Sequence, residues 1–326
     1  SEDFSNASWS KAGSSVVSGF VSPDGTNNAF KLVENNITFV GVQSNLSITS
    51  GVDYTFSVYA KAIENDYLFF NFNSKNSGFV NEYVWFNLLT GAVGTSEGSI
   101  IASIKEISNG FYRCIATATA ISTTFGRVVI GTSINDGSFA PSGVTPTDGC
   151  YIYGAQMEAL PYDTSYIPTS GVISTRLADK VTGAGDATTF NDSEGVLYVE
   201  MAALANDGTN RFVSISDGTI SNRINIVFDT SNNINARQAP GGVTISTSGV
   251  NILNSNKIAY KYQNGSQELW VNGVKIGTAN ATNLPSGLDK LSFDSFNGGD
   301  LMYSKVKSLI TFNTALTDAE LECLTT

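Results

Sequence analysis

The sequence of 326 residues contains no histidine, and this absence excludes several kinds of enzyme. Without imidazole there is no Ser/His/Asp or Cys/His nucleophile system, no histidine-bound catalytic zinc and no imidazole general base. Catalysis in this chain would depend on carboxylates, tyrosine or lysine.

Cysteine is scarce as well. Cys114, Cys150 and Cys323 are too few and too far apart in the sequence for a disulfide scaffold or a zinc site. We expect buried free thiols that pack as small apolar side chains. A bridge between Cys114 and Cys150 is the alternative.

Basic residues are outnumbered, because 18 Lys and Arg stand against 29 Asp and Glu, for a net charge of −11. No basic run is present, so we expect no nucleic-acid partner.

No apolar run approaches the roughly 20 residues of a membrane-spanning helix, so we expect no membrane insertion. Only 14% of residues are charged, and Ser, Thr, Asn and Gly must fill the surface, as in extracellular β proteins. Because the first residue is Ser1 and not methionine, we expect an N-terminus that is processed or cut from a longer chain.

The apolar residues that are present alternate with period two, and Gly, Asn, Asp or Pro closes nearly every alternating segment. This pattern is typical of antiparallel sheets. In the first half the predicted strands are 53–62, 67–73, 83–91, 111–120, 126–132 and 150–159. In the second half they are 195–204, 211–218, 223–229, 257–278, 288–296 and 303–313.

Local signals add two hairpins and one helix. Asn264-Gly265 and Asn272-Gly273 each separate alternating apolar runs, which predicts a three-stranded meander. At the end of the chain, Thr317 with Glu320 three residues later predicts the start of a short C-terminal helix, closed by a reciprocal capping box.

Length favours two domains, since one hydrophobic core seldom grows to this size. Between the two series of strands lies YIYGAQMEALPYDTSYIPTSG, residues 151–171, rich in tyrosine and proline. Pro161 and Pro168 restrict the backbone there, and we expect Tyr162 and Tyr166 to bury their rings between the domains. We predict domains at 1–168 and 169–326.

The first half resembles the carbohydrate-binding-module-like jelly rolls found in tail and other virion proteins of bacteriophages. The residues that carry this resemblance are DFSNASWSKAGSSVV, SPDGTNNAFKLVE, YTFSVYAKA, WFNLLTGAVG, ISNGFYRCIATA and the stretch at 151–171, so it covers about residues 1–171.

The second half, from about residue 172 to 326, resembles the concanavalin A-like, laminin G-like lectin domains through RFVSISDGT, YQNGSQELWVNGVKIGT and KSLITFNTALTDAELECLT. Together the two resemblances imply an all-β fold of two tandem antiparallel β-sandwiches of jelly-roll topology with a short C-terminal helix.

Some relatives of the concanavalin-like fold cleave glycans with two acidic residues at about 5–9 Å. The candidates here are Glu194 and Glu200 in EGVLYVE, which depart from the Glu-x-Asp-x-x-Glu pattern of those glycosidases. Lyases on this fold usually use histidine, which is missing. We therefore expect solvated strand-end carboxylates and no enzyme.

Glycan binding needs only aromatic faces for sugar rings and polar groups for hydroxyls. In the first domain the candidates are Tyr67, Tyr83 and Trp85, and in the second Trp270. For both tryptophans, packing within a sheet or core is the alternative.

Loops are the other place to expect a grafted binding site. Asp294, Asn297 and Asp300, in DSFNGGD, are the glycan-binding candidates there, and a simple turn at Gly298-Gly299 is the alternative.

Calcium is left open as a cofactor. The oxygen-rich loops 22–28, 134–138 and 183–195 contain hard ligands, but none matches an EF-hand loop. Calcium-bearing jelly rolls often have paired acidic residues in the final strand, where this chain has Tyr-Ile-Tyr-Gly at 151–154.

We therefore expect a non-enzymatic protein of a phage virion surface, hence extracellular, which binds host cell-surface polysaccharide as a tail-fibre, receptor-binding or head-decoration component. Its further partners would be other virion proteins and copies of itself, in a homo-oligomer or array, because several weak sites on one particle gain avidity. One alternative is a structural decoration or spacer that never touches sugar. The other is the binding portion of a secreted polysaccharide-degrading enzyme.

Overall fold

The computed structural model describes residues 2–34, 41–73, 78–139, 147–169 and 184–326. The chain divides into two compact units, Ser1–Arg176 and Leu177–Thr326. The division lies in the range 170–183, outside the described residues, and the boundary expected at 168/169 stays a prediction.

The first unit contains two six-stranded sheets, whose neighbouring strands are all antiparallel. Sheet 1 has the strand order β1-β4-β11-β6-β7-β8, and sheet 2 has the order β2-β3-β12-β5-β10-β9. The strands are β1 (Ser10–Ala12), β2 (Ser14–Phe20), β3 (Ala29–Glu34), β4 (Gly41–Ile48), β5 (Asp53–Ala62), β6 (Tyr67–Asn73), β7 (Glu82–Asn87), β8 (Ala92–Glu97), β9 (Ile101–Glu106), β10 (Tyr112–Thr119), β11 (Thr124–Ser133) and β12 (Gly149–Glu158).

The second unit contains two five-stranded antiparallel sheets and the helix. Sheet 3 has the order β20-β19-β18-β13-β22, and sheet 4 has the order β17-β16-β15-β14-β21. The elements are β13 (Glu194–Ala203), β14 (Arg211–Ser216), β15 (Arg223–Phe228), β16 (Ile234–Ala239), β17 (Val243–Thr247), β18 (Asn256–Gln263), β19 (Ser266–Val271), β20 (Val274–Ala279), β21 (Lys290–Ser292), β22 (Ser304–Phe312) and α1 (Asp318–Thr325). The expected fold class, tandem antiparallel β-sandwiches with a short C-terminal helix, is confirmed.

Period-two alternation produces both cores, because alternate side chains of a strand point to opposite faces. In β5, Phe56, Val58 and Ala60 lie in the core of the first unit, as the sequence predicts. The core of the second unit is built in the same way from apolar side chains of sheets 3 and 4. Each sheet therefore has one inner face, in a core, and one outer face.

No disulfide joins the cysteines, all three of which lie in the described part of the chain; Cys114 and Cys150 are buried, as expected, whereas Cys323 is exposed, and the expectation of a buried thiol was wrong there. Cys114 lies on β10 and Cys150 on β12, on opposite sides of β5. Because the two strands are not neighbours, about 9.5 Å separates them, which is too far for a disulfide. Burial raises the pKa of the Cys114 thiol, so it stays protonated and inert.

The predicted meander is confirmed as β18-β19-β20. Its second turn uses positive φ at both Asn272 (49°) and Gly273 (79°), as a tight hairpin turn requires. In the first turn Gly265 has φ 70°, whereas Asn264 is not among the positive-φ residues. Both turns therefore place glycine where a side chain would be strained.

The capping box of α1 is also confirmed. Thr317 accepts a hydrogen bond from the Glu320 backbone N–H, and the Glu320 carboxylate accepts one from the Thr317 backbone N–H. These two bonds satisfy donors that the first turn of any helix leaves free.

Replacing Thr317 with alanine should lower the free energy of unfolding of the second unit by about 1 kcal/mol, because the cap is lost. Urea unfolding of the full chain, with β18 and β19 followed by hydrogen exchange, measures this change. The exposed Thr314 provides the matched control, and T314A should stay within about 0.5 kcal/mol of the parent. Equal effects of the two substitutions would contradict the role of the cap.

The tyrosine- and proline-rich segment lies along the outer face of sheet 2. Thr55 donates to the Leu160 carbonyl, and the backbone N–H of Ile167 donates to Gln156. The Tyr166 ring contacts Tyr59 and Tyr153 of the first unit, at centroid distances of 5.8 and 5.6 Å, and burial of Tyr162 and Tyr166 between the domains stays a prediction. Up to Thr169 the segment is thus part of the first unit.

Among the described residues, none of the helices combines the length and the apolar character needed to cross a membrane.

Candidate functional site

The outer face of sheet 3 is covered by α1. Tyr198 and Trp270 on this face pack against Leu321 of the helix. Trp270 is 6% exposed, its indole N–H donates to Glu268, and the Lys275 ammonium lies 5.3 Å from the ring centroid. The predicted site residue Trp270 therefore has the packing role named as its alternative, and its ring is closed to a sugar in this structure.

The outer face of sheet 4 carries polar side chains instead. Because Val213, Ile226 and Ala236 point into the core, the residues next to them in each strand point outwards. One outward residue from each strand falls into a continuous cross-strand line, which we name the polar row. Its members are Ser292 (β21), Ser214 (β14), Asn225 (β15), Arg237 (β16) and Thr244 (β17). At the usual strand spacing the polar row is ~19 Å long.

Two buried polar atoms of the polar row have no hydrogen-bond partner. Asn225 is 1% exposed, and its amide N–H₂ donates to the Ser214 hydroxyl at 3.0 Å. Its Oδ1 is buried without a hydrogen-bond partner, and so is the hydroxyl of Ser292. Buried polar atoms are nearly always paired, so unpaired ones mark a place where a ligand or water belongs.

The loop that follows β21, residues 293–303, which we name the wall loop, contacts the polar row at Ser214, a member of the row that is 0% exposed. The Ser214 hydroxyl donates to the Asp294 carbonyl, and the Asp294 carboxylate accepts the Phe296 backbone N–H at 2.7 Å. Phe296 has φ 95°, a conformation that the surrounding turn must hold. The Arg223 guanidinium lies over its ring, 4.8 Å from the centroid.

This loop contains three of the predicted site residues. Asp294 is half-buried, and its carboxylate is used within the loop. Asn297 accepts the backbone N–H of Gly299, so the turn named as the alternative does exist, while Asn297 and Asp300 remain exposed at the rim. The structure thus places these candidates next to the polar row.

The three candidates of the first unit lie together on the outer face of sheet 1. The indole of Trp85 is directly opposite Phe69, and its ring is 5.9 Å from that of Tyr83. Trp85 is 0% exposed, because Phe139 lies 4.8 Å from its ring and the Ser138 carbonyl accepts its N–H. It therefore has the packing role that the sequence left open.

Tyr67 and Tyr83 are half-buried, and their hydroxyls accept hydrogen bonds from Asn87 and Asn81. Both rings can still present an edge to a ligand, so they stay candidate glycan contacts. Their polar groups are already paired, in contrast to those of the polar row.

The acidic pair does not have glycosidase geometry. Glu194 and Glu200 are six residues apart on one strand, β13, which corresponds to roughly 20 Å. The Glu200 carboxylate accepts from Lys307 and Ser255, both at 2.9 Å, and these hydrogen bonds lower its pKa. The distance between Glu194 and Glu200 therefore exceeds the separation of about 5–9 Å at which two carboxyl groups act on one glycosidic bond.

In the three oxygen-rich loops, the aspartates already accept hydrogen bonds from the protein. Asp24 accepts from Ser22 and Thr26, and these bonds hold its pKa well below the usual range. Asp136 accepts the Thr95 backbone N–H, and Asp186 accepts from Thr188. Residue 183 lies outside the described residues, and no group of three acidic or thiol side chains within the described part could hold a metal ion.

None of the five members of the polar row, nor Arg223 beside it, was among the candidates predicted from the sequence. A signal was present, because RINIVF and INARQA place polar residues at alternate positions of strands otherwise filled by apolar side chains. Only the strand registers show that these positions face outwards in one line.

No family model matches the chain, and no curated protein matches it. Among solved structures, the chain is similar to the CBM40 domain of Ruminococcus gnavus IT-sialidase, at 16% identity and a TM-score of 0.38, with 46% of this chain and 97% of that one covered.

Two further structures are similar over most of the chain. Domains LG4-5 of the mouse laminin alpha1 chain are 9% identical, with a TM-score of 0.30, and 86% of this chain and 90% of that one are covered. Trypanosoma rangeli sialidase is 11% identical, with a TM-score of 0.37, and 91% of this chain and 60% of that one are covered. At these identities and scores, the fold assignment rests on the strand order and registers of the chain itself.

Proposed function

We propose that this chain is a non-enzymatic glycan-binding protein and that the outer face of sheet 4 is its binding surface. The observation that carries the proposal is the polar row, with one outward polar side chain from each of five adjacent strands. Thr244 is exposed and Arg237 partly exposed, while Ser214 and Asn225 are buried at its centre, and buried atoms of Asn225 and Ser292 are unpaired. Sugars offer many hydroxyl groups, and such a line of donors and acceptors suits an extended chain of them.

The wall loop adds the second requirement of a sugar site, an aromatic side chain beside polar groups. Phe296 is half-buried next to the row, and Asn297 and Asp300 stand exposed above it. A glycan on the row would meet these loop residues at its edge, so the sequence candidates in DSFNGGD serve the same surface.

A role without catalysis is supported by the composition and by β13. Histidine is absent, and the carboxylates of Glu194 and Glu200 are too far apart to act on one bond. The paired state of Glu200 with Lys307 favours a structural function for this carboxylate.

We further propose that the protein lies on the surface of a bacteriophage virion, outside the cell, as a tail-fibre, receptor-binding or head-decoration component. It rests on the sequence resemblance of residues 1–171 to the jelly rolls of virion proteins. Arrayed or oligomeric copies would raise the avidity of individually weak sugar sites.

A steric block tests the surface directly. Thr244 is exposed at the end of the polar row, opposite Arg237, so T244W should place an indole over the row and lower glycan affinity at least about tenfold. Binding of the full chain is measured against a panel of neutral and acidic bacterial and algal polysaccharides, with and without added calcium.

Thr278 provides the matched control, since it is also an exposed threonine on an edge strand, β20 of sheet 3. T278W should bind like the parent. Equal binding by T244W and the parent would move the site away from sheet 4. No binding to any member of the panel, even by a multivalent display of the chain, would favour the structural spacer.

A further inference from the structure

Arg223 and Arg237, on the outer face of sheet 4, differ from two other arginines of the chain in their ion pairing. Arg113 and Arg211 each form an ion pair with an aspartate. Within the described residues, neither Arg223 nor Arg237 forms an ion pair or donates a side-chain hydrogen bond, and one Nη of Arg223 is buried without a partner. Both side chains are partly exposed, but a buried N–H without an acceptor is costly, so an absent partner is indicated at this Nη of Arg223.

Aromatic rings hold both guanidinium groups in place. Arg223 lies over Phe296 at 4.8 Å, and Arg237 lies over Phe212 at 5.9 Å. Contact with an aromatic face leaves the N–H groups at the edge of the planar guanidinium available, and those groups match the two oxygens of a carboxylate or a sulfate. The two side chains are thus positioned by apolar contacts and remain available for an anion.

The two groups are also close to each other. Asn225 is directly opposite Arg237, and Arg223 precedes Asn225 by two residues on the same face, which puts Arg223 and Arg237 on a diagonal of roughly 7–8 Å. Burial lowers the pKa of Arg223, and the charge of Arg237 lowers it further. One anion between them would relieve the repulsion and accept from both.

The surrounding acidic side chains are engaged elsewhere. The Asp294 carboxylate accepts the Phe296 backbone N–H, and Asp217 accepts from Thr219 and Asn222. Lys290, on the neighbouring strand β21, pairs with Asp289 at 3.4 Å and donates to the Asp217 carbonyl, so the charge beside the row comes from Arg223 and Arg237. The chain as a whole is negative, at −11, so a positive group of this kind is local.

We propose that the polar row binds an acidic glycan and that Arg223 and Arg237 together hold its carboxylate or sulfate group. This inference rests on the proposed function and names the class of sugar for that site. Thr244, the exposed member of the row, would then meet a neighbouring hydroxyl.

The test compares sugars that differ only in the anionic group. Acidic polysaccharides from the panel are used before and after carboxyl reduction or desulfation, and glucuronate is compared with glucose as a competitor. The parent should bind the acidic forms at least about tenfold more tightly than the treated forms, and glucuronate should compete at lower concentration than glucose.

Substitutions assign the effect to the two side chains. R223Q and R237Q should each lower affinity for the acidic form about tenfold, and so reduce the difference in affinity between the acidic and the treated forms. R237K should recover part of the loss, because it restores the charge without the planar fork. Arg127, on sheet 1, is hydrogen-bonded to Asn45, and R127Q is the charge-matched control, expected to bind like the parent.

The outcomes separate this inference from the proposed function. If T244W abolishes binding while acidic and treated forms bind alike, the surface is correct and the acidic class is wrong. If R127Q also loses the preference for the acidic form over the treated form, the preference comes from the net charge of the chain. That result would overturn the assignment to Arg223 and Arg237. No binding to any sugar would remove both proposals.

Discussion

Replacing Asp163 with alanine should lower the free energy of unfolding of the first unit by about 3 kcal/mol, the low end for breaking a buried ion pair. Asp163 lies in the tyrosine- and proline-rich segment and pairs with Lys105 at 2.7 Å and Arg113 at 3.3 Å. The Arg113 side chain is 7% exposed, and without Asp163 its only remaining hydrogen bond would be to Ser57. The substitution therefore leaves a nearly buried charge uncompensated.

Urea unfolding of the full chain, with β5 and β10 followed by hydrogen exchange, measures this change. D163A should also expose residues 159–169 to protease, because Asp163 fastens that segment to sheet 2. Replacing the exposed Glu97 on β8 is the control and should change stability by no more than about 0.5 kcal/mol. A D163A protein as stable as E97A would show that the segment is held without the ion pair.

Replacing Trp85 with alanine should destabilise the first unit by about 3–5 kcal/mol, the usual range for removing a fully buried aromatic ring. The indole is 0% exposed and lies against Phe69, Tyr83 and Phe139, so its loss would leave a cavity. The same denaturant measurement reads this change.

Phe125 is the matched control, since it is an aromatic residue of the same sheet that is 56% exposed, and F125A should fall within about 0.5 kcal/mol of the parent. W85F keeps most of the ring volume and should fold and bind glycans like the parent. A folded W85F that loses glycan binding would return Trp85 to the list of sugar contacts.

Much of the fold follows from the local pattern. The strand at 53–62 and the strand at 67–73 have the predicted bounds, because period-two alternation and flanking turn residues agree there. The helix at Thr317 was predictable for the same reason, since its cap is a local signal. The position of Tyr166 was not, because contact with Tyr59 and Tyr153 depends on how the chain turns back after β12.

The candidate site was predictable only at its rim. Asp294, Asn297 and Asp300 stand in a loop whose composition alone marks it. Arg223 and Arg237 lie 14 residues apart in the sequence and become neighbours only through the register of β15 and β16. Trp85 shows the reverse case, because alternation places it on an outer face but cannot show that Phe139 covers it.

The central claim is that the outer face of sheet 4 binds a glycan, and the structure of the full chain in complex with its tightest-binding oligosaccharide tests it most directly. The account predicts sugar density along the polar row, with an anionic group within hydrogen-bonding distance of Arg223 and Arg237. Sugar bound on the outer face of sheet 1, at Tyr67 and Tyr83, with the polar row empty, would contradict it.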